Sequence, residues 1–344
     1  GAIASPIPGA EVQIAAEKIS RWGAHIGPLR VGDQADPELH LHLEAIDLKP
    51  VIDKARAYDT PGTRKLLLRQ LLFGELGLPG DTTLAEHTAT YRGVKRKGLV
   101  RYGNVREMSD SQLSISQKYE WYLVLDYPFD LGGFSPQEDL LRVEQYRESI
   151  QDREEPTVVW LPTFFSHKLE QTLGDFVAIQ HILDGRTQEY LGHLRPEDQV
   201  QARGDLTSLH DQKQEQLLRA LNAAYGLTRK DNDPALDQSR TVEQQVLPLS
   251  SSLQVRPLLA GTMAEGMQQV IEQLLAHRYP HHPKFKAAVT SGKLDRVRLL
   301  LERLIEAPER RITVTHNDST DLKSYADPLG LTSTQEGVAN LLDR

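Results

Sequence analysis

The sequence predicts a mixed α/β, helix-rich fold, with a small parallel β-α-β-α core flanked by helical or winged-helix-like modules. Residues 120–185 alternate apolar strand patterns with helical patterns that carry start and stop signals. Amphipathic helical patterns lie on both sides of this stretch. The apolar fraction of 39% and the charged fraction of 26% are ordinary for globular proteins. At 344 residues the chain is long enough for more than one domain.

Composition excludes several classes of protein. No apolar run approaches the roughly 18 residues that a membrane span needs, and the first residues lack the pattern of a secretion signal. The absence of cysteine excludes disulfides and thiolate metal sites, and it fits a reducing compartment, so we expect a cytoplasmic protein. The formal net charge of −8 argues against a uniformly basic nucleic-acid surface. Any contact with a polyanion is therefore expected to be local.

Residues 1–112 are expected to form an N-terminal module of helices and strands. A helix is predicted over 11–22, and helices are also predicted on both sides of a Pro-Gly break at 60–62. Between them, the stretch 39–43 alternates leucines with His40 and His42, which is typical of a half-buried strand. Two histidines on one strand face could bind a metal, but no third ligand lies nearby in the sequence. A solvated strand face is the favoured interpretation.

The same module contains the most basic window of the chain. No acidic residue occurs between Thr88 and Val105, and glycines at 93, 98 and 103 indicate a turned ribbon rather than a helix. Cations interleaved with tyrosines suit the phosphates of a nucleic acid, although a solvated hairpin face is the competing interpretation. We call the five cations the basic ribbon and treat them as candidate nucleic-acid-binding residues: Arg92, Lys95, Arg96, Lys97 and Arg101.

A second module is expected over 113–230, and its start carries the clearest pattern in the sequence. An apolar strand ends at Asp126, and Ser135 then begins a helix, with Pro136 in its first position and Glu138 at the capping-box position. A second apolar strand, PTVVWLP, precedes a helix that ends before Gly185. Two wholly apolar strands joined by a helix predict a parallel pair.

The remainder of the chain is predicted to be mainly helical. A long polar helix is expected over 196–225, and the stretch 227–252 lacks periodicity and is interpreted as a connector. A third module, 250–344, shows amphipathic helices over 262–278 and 293–305, followed by a short strand in RITVT. That order is compatible with a winged helix and equally with plain helical packing.

Motifs for chemistry are incomplete. The phosphate-binding pattern GxxxxGK[ST] is absent, so no cofactor site is assigned to this chain. Asp126 and Asp130 follow an apolar strand and His167 lies at a helix start, which makes these three the candidates for a metal- or carboxylate-dependent hydrolase. No serine elbow accompanies His167, and the aspartate spacing is not that of a phosphate-transferring Asp-x-Asp pair. His281 and His282 occupy a proline-rich turn, where a packed corner is favoured over a metal site.

A succession of phrases resembles one known family. GNVREM, DYPFD, VVWLPTFFS, YLGHLRPEDQVQAR, LRALNAAYG and HRYPHHPKF occur in the order found in the large PglY/BrxC-type P-loop ATPase of BREX bacteriophage-exclusion systems. The resemblance covers most of the chain. It consists of short sequence segments found in the family and includes no catalytic motif.

The resemblance implies that this chain is an interior segment of a longer protein that resists phage together with a DNA methyltransferase and a phosphatase-like partner. ATP and Mg are implied only for the parent protein, because the ATP-binding loop of the family does not occur in this sequence. The expected function is thus a non-catalytic interaction segment, with other phage-defence proteins as partners and no membrane. DNA and a second copy of the chain are further candidate partners. The alternatives are the independent hydrolase and a purely structural scaffold.

Overall fold

A computed structural model describes residue 18, residues 29–31 and 39–41, and residues 46–329 with short gaps at 131–133, 152, 229–232, 238–241, 286–287, 311 and 314. The predicted helix over 11–22 lies outside the described residues except at Lys18, and so does His42. The described chain divides into two compact units. The first comprises residues 1–72, 165–223 and 231–237, and the second comprises residues 73–164, 224–230 and 238–344.

The first unit is built from helices and one small sheet. Leucine alternation predicted a strand at 39–43, and the strand Leu39–Leu41 forms there, paired antiparallel with Leu29–Val31. One helical face of Val51, Ile52 and Ala55 packs on Ala178, Ile179 and Ile182, because these apolar residues recur at helical spacing. The elements are β1 Leu29–Val31, β2 Leu39–Leu41, α1 Lys49–Ala55, α2 Pro61–Glu75, which ends in the second unit, α5 His167–Leu183, α6 Thr187–Leu191 and α7 Pro196–Ala224. The long helix predicted over 196–225 is confirmed and continues through Gly204.

The second unit is a five-stranded mixed sheet with helices. Neighbouring strands of the sheet are also consecutive in the chain; the two inner pairs are parallel and both outer pairs are antiparallel. The elements are β3 Leu84–Tyr91, β4 Val94–Tyr102, α3 Asp110–Leu113, β5 Trp121–Leu125, α4 Pro136–Ile150, β6 Thr157–Trp160, α8 Val242–Gln245, β7 Val246–Pro248, α9 Met263–Arg278, α10 Ser291–Glu306 and α11 His316–Ala326.

The two faces of this sheet are covered by different helices. On one face Val143 and Tyr146 of α4 pack in a cluster with Tyr122, Val124 and Val159. The alternate residues of the strands point to the other face, where Gly266 allows α9 to approach Trp160 so closely that an added Cβ would lie 2.7 Å from the indole. Both central strands are fully buried, as their continuous apolar sequences predicted.

The predicted mixed α/β, helix-rich fold class is confirmed. β5 and β6 pair in parallel from Tyr122 opposite Thr157 to Leu125 opposite Trp160. Ser135 caps α4 in a capping box with Glu138, as predicted. The single core expected for the whole β-α-β-α stretch does not extend to α5, which packs with α1 in the first unit, whereas β5, α4 and β6 belong to the second. The predicted boundaries 1–112, 113–230 and 250–344 stay a prediction.

Two predicted elements are wrong. The connector over 227–252 contains β7, which pairs with β6 through Trp160 opposite Val246 and is too short to show a period of its own. The strand expected in RITVT does not form at its described residues, because Thr315 caps α11 with Asp318 instead. Among the described residues, no helix is both long and apolar enough to cross a membrane.

Candidate functional site

The basic ribbon forms the β3-β4 hairpin. Tyr91 and Val94 close a two-residue turn in which Arg92 and Gly93 both have positive φ, 47° and 86°. That is the turn type that suits the twist of a hairpin, and glycine adopts it without strain. The prediction of a turned ribbon is therefore confirmed.

The three arginines of the ribbon are bound within the protein. The Arg92 guanidinium donates to the backbone carbonyl of His282. Arg96 donates to Glu120 Oε1 at 2.9 Å and lies over the ring of Tyr279, 4.3 Å from its centroid. Arg101 Nε donates to the Tyr122 hydroxyl at 2.6 Å. Each of these contacts holds the hairpin to its own unit.

The two lysines differ from the arginines. Lys95 and Lys97 are exposed, and they lie on the same face of the hairpin as Thr90 and Thr88, directly opposite on β3. Successive residues of a strand alternate between faces, so the intervening Arg96 points to the other side. The exposed cationic surface thus consists of a lysine pair rather than five side chains.

Carboxylates lie closer to the ribbon than the sequence indicated. Glu120 pairs with Arg96, although 24 residues separate them. On β3, the exposed Glu86 accepts hydrogen bonds from Tyr119 and Lys118. The Tyr119 hydroxyl, helped by the charges of Lys118 and Lys97, holds the pKa of Glu86 below its ordinary value. The ribbon therefore has carboxylates nearby although the window 88–105 contains none, because Glu86 lies on the paired strand β3 and Glu120 directly precedes β5.

Asp126 follows β5 and is buried, with 1% of its surface exposed. Its Oδ1 accepts the backbone N–H of Tyr127 at 2.7 Å and that of Val105 at 3.4 Å. Its backbone carbonyl accepts the hydroxyl of the buried Tyr225 at 2.5 Å. These bonds tie together the segments that follow β4 and β5, which is a structural role for this carboxylate.

Asp130 belongs to an ionic cluster around Arg106. Asn104 Nδ2 donates to Asp130 Oδ2 at 3.0 Å, and Arg106 forms a salt bridge with the same oxygen. Arg106 Nε also donates to Asp139 Oδ1 at 2.6 Å, and the guanidinium lies 4.1 Å from the ring centroid of Phe134. The cluster anchors the first turn of α4. Sequence reasoning missed Arg106 and Asp139, because their proximity arises from the crossover and not from any local spacing.

His167 is located in the first unit, whereas Asp126 and Asp130 are in the second. It begins α5 and is exposed, and its Nε2 lies 3.2 Å from Nε2 of Gln171, one turn further along the helix.

His282, considered above as a possible metal ligand, lies among aromatic side chains. The backbone carbonyl of His282 accepts a hydrogen bond from the Arg92 guanidinium. The ring of His282 lies edge-on to Tyr91 and Phe285, with centroid separations of 5.7 and 6.0 Å. His282 is therefore part of a packed aromatic corner. Within the described part of the chain, no group of three or more histidine, aspartate or glutamate side chains is arranged to hold a metal ion.

One polar cluster was not anticipated. Ser250 and Ser252 donate to the two carboxylate oxygens of Glu154 at 2.7 and 2.6 Å, and Nε2 of His277 lies 3.0 Å from the Ser252 hydroxyl. These hydroxyls, with Ser252 contributing most, lower the pKa of Glu154. Both serine hydroxyls donate to the Glu154 carboxylate. Together with the contact between Ser252 and His277, these bonds link the segment after β7 to the end of α9. Apart from the two serines, which are two positions apart, the members of the cluster lie 25 to 123 residues from one another in the sequence, so no local motif predicts it.

Comparison with known proteins identifies the family. Residues 51–279, more than half of the chain, match the family model described as the PglY fourth domain. The match begins in α1 and ends at Tyr279, and it includes the entire hairpin and the Arg106 cluster. No solved structure matches the chain. The family expected from the phrases of the sequence is therefore confirmed: the chain belongs to the PglY fourth-domain family, a component of BREX-type phage-resistance proteins.

Proposed function

We propose that this chain is a non-catalytic interaction segment of a BREX-type phage-resistance protein, and that Lys95 and Lys97 are its contact with the phosphates of a nucleic acid. The observation that carries the proposal is the exposure of both lysines on one face of the hairpin, while the neighbouring arginines are bound within the protein. Two ammonium groups at alternate positions of a strand can engage successive phosphates without reading the bases.

The surroundings of the hydrolase candidates support a role in interaction. Asp126 accepts two backbone N–H groups, and Asp130 is neutralised by Arg106. Carboxylates held in this way stabilise loops and are poorly placed to accept a proton from a substrate. We further propose that ATP and Mg bind elsewhere in the parent protein, and that the segment acts in the cytoplasm, which its lack of cysteine fits.

The test compares two variants of equal net charge. Lys95→Glu with Lys97→Glu should weaken binding to an unrelated labelled DNA duplex by about tenfold or more at 50 mM salt, because two phosphate contacts become repulsive. Lys49→Glu with Lys168→Glu is the matched control, since both lysines are exposed at the starts of helices outside the hairpin, and Lys49 gives up only an exposed salt bridge to Asp53, which contributes little.

Fluorescence anisotropy over a protein concentration series gives both affinities. The proposal predicts that only the hairpin variant loses affinity. Equal losses in the two variants would show that net charge alone matters, and the absence of binding by the parent chain would leave the purely structural scaffold as the better account.

A further inference from the structure

The first strand of the large sheet, β3, offers an edge that could be extended. It is eight residues long, and β4 is its one neighbour among the strands that the structure describes. The register from Leu84 opposite Arg101 to Tyr91 opposite Val94 runs without interruption. Natural edge strands are commonly protected by proline, by lysine or by a bulge. None of these three devices occurs within β3.

The hydrogen-bond phase of the hairpin determines which backbone groups face this edge. Tyr102 N donates to Thr83 O at 2.9 Å, so Thr83 and Tyr102 form a hydrogen-bonded pair. Hydrogen-bonded and non-hydrogen-bonded pairs alternate along an antiparallel ladder, so odd-numbered residues of β3 bond to β4. The N–H and C=O groups of the even-numbered residues therefore point away from β4.

Three of those residues remain accessible to a partner. The Thr82 hydroxyl bonds to both the N–H and the C=O of Leu84, at 3.1 and 2.9 Å, which closes that end of the edge. Glu86, Thr88 and Thr90 follow at alternate positions, and all three are exposed. Together they offer three N–H and three C=O groups, which is the pattern that an added strand requires.

The side chains beside the Thr88–Thr90 part of this edge favour an acidic partner, whereas Glu86 at the other end is a carboxylate already bound by Tyr119 and Lys118. Thr88 and Thr90 are short, and directly behind them on the same face lie Lys97 and Lys95. Neighbouring strands are about 4.8 Å apart, so a glutamate on an added strand would lie about two spacings from the β4 backbone. The flexible stems of the lysines can cover much of that distance over the small threonine side chains.

We propose that β3 accepts an extended segment of a partner protein as a sixth strand, with carboxylates at alternate positions of that segment facing Lys95 and Lys97. The partner's backbone supplies the hydrogen bonds, and its carboxylates supply the selectivity. The proposal rests on the backbone edge of β3 and not on the nucleic-acid contact, although both ligands would use the same lysines and would therefore compete for them.

The experiment measures amide hydrogen exchange with and without a blocked eight-residue peptide of alternating valine and glutamate. In the free protein, the amides of Glu86, Thr88 and Thr90 should exchange quickly, while those of His87 and Ala89, bonded to β4, should be protected. Addition of the peptide should slow exchange at the three outward amides at least tenfold. A peptide of alternating valine and lysine should have no such effect.

Variants at one position separate backbone pairing from side-chain contact. Thr88→Pro removes an outward N–H without breaking a bond to β4, and proline is tolerated on edges in this orientation. It should weaken peptide binding at least tenfold, whereas Thr88→Val should retain it. Protected His87 and Ala89 amides would show that each variant is folded, and unchanged duplex binding by Thr88→Pro would separate this proposal from the nucleic-acid contact.

Three results would overturn the proposal. The first is unchanged exchange of the outward amides of the parent chain at millimolar peptide. The second is binding that Thr88→Pro leaves intact. The third is protection that rises with protein concentration alone, which would show that a second copy of the chain occupies the edge. The first and third are measured on the parent chain, so they decide the matter even if the proline variant fails to fold.

Discussion

Protonation of the single side chain His87 is expected to make the stability of the hairpin depend on pH. It lies on the inner face of β3, edge-on to the buried Trp121 with ring centroids 5.8 Å apart. Burial lowers the pKa of His87 below its ordinary value, because the charged imidazolium loses water there. The folded protein therefore binds this proton less readily than the unfolded chain.

The expected consequence is a loss of stability in mild acid. As pH falls below about 6.5, the unfolded chain takes up the proton first, so the free energy of unfolding decreases. His87→Gln should remove this contribution. Urea denaturation at pH 7.5 and 5.5 should show a larger decrease for the parent chain than for the variant. Equal decreases would contradict the assignment of His87 to the inner face.

Single residues also mark what the sequence could and could not reveal. The exposure of Lys95 and Lys97 follows from strand alternation, once the ribbon is recognised as a hairpin. The engagement of Arg96 does not, because its partners Glu120 and Tyr279 are supplied by distant segments. The sequence predicted a strand ending at Asp126, and β5 ends one residue earlier, at Leu125. The sequence did not predict the hydrogen-bond partners of Asp126, since they lie in loops that come together only when the sheet forms.

At the scale of the element, Gly98 explains how the hairpin joins the sheet. It lies directly opposite Trp121, and an added Cβ would lie 2.1 Å from the indole and 2.5 Å from the Trp121 carbonyl oxygen. A methyl group there must displace backbone as well as side chain. The sequence suggested a turn at this glycine, whereas the structure shows a close approach.

Gly98→Ala should lower the free energy of unfolding by about 1–3 kcal/mol, the usual cost of overpacking a core. The same change at Gly74 is the matched control. No atom lies within 4 Å of a Cβ added there, so alanine should stabilise α2 by up to about 1 kcal/mol. Thermal and urea denaturation of both variants measure the difference. A Gly98→Ala protein as stable as the parent would mean that Trp121 does not pack where we place it.

The sequence predicted those helices and strands whose own residues carry a strong local pattern. The buried strands β5 and β6 and the capped helix α4 were predicted because apolar runs and a capping box are local. The edge strand β7 was missed, since three residues cannot display a period. The strand predicted in RITVT failed because the cap of α11 competes for the same residues.

At the scale of the whole molecule, we propose that this segment contributes binding through the exposed lysine pair rather than chemistry. Membership of the PglY fourth-domain family supports involvement in a BREX-type system, and the structure adds a hairpin whose arginines are bound within the protein and whose lysines are exposed. The overall net charge of −8 opposes any polyanion, so the contact must be local and sensitive to salt.

The most direct measurement is the salt dependence of duplex binding by the parent chain. Each phosphate contact contributes a slope of about −0.9 to the plot of log affinity against log salt, so two lysines predict a slope of about −1.8. Between 50 and 200 mM salt, affinity should fall by about 12-fold, with little dependence on base sequence. A slope near −4.5 would mean that all five cations of the basic ribbon bind phosphate. A slope near zero, or no binding at low salt, would contradict the claim that the exposed lysine pair is the contact.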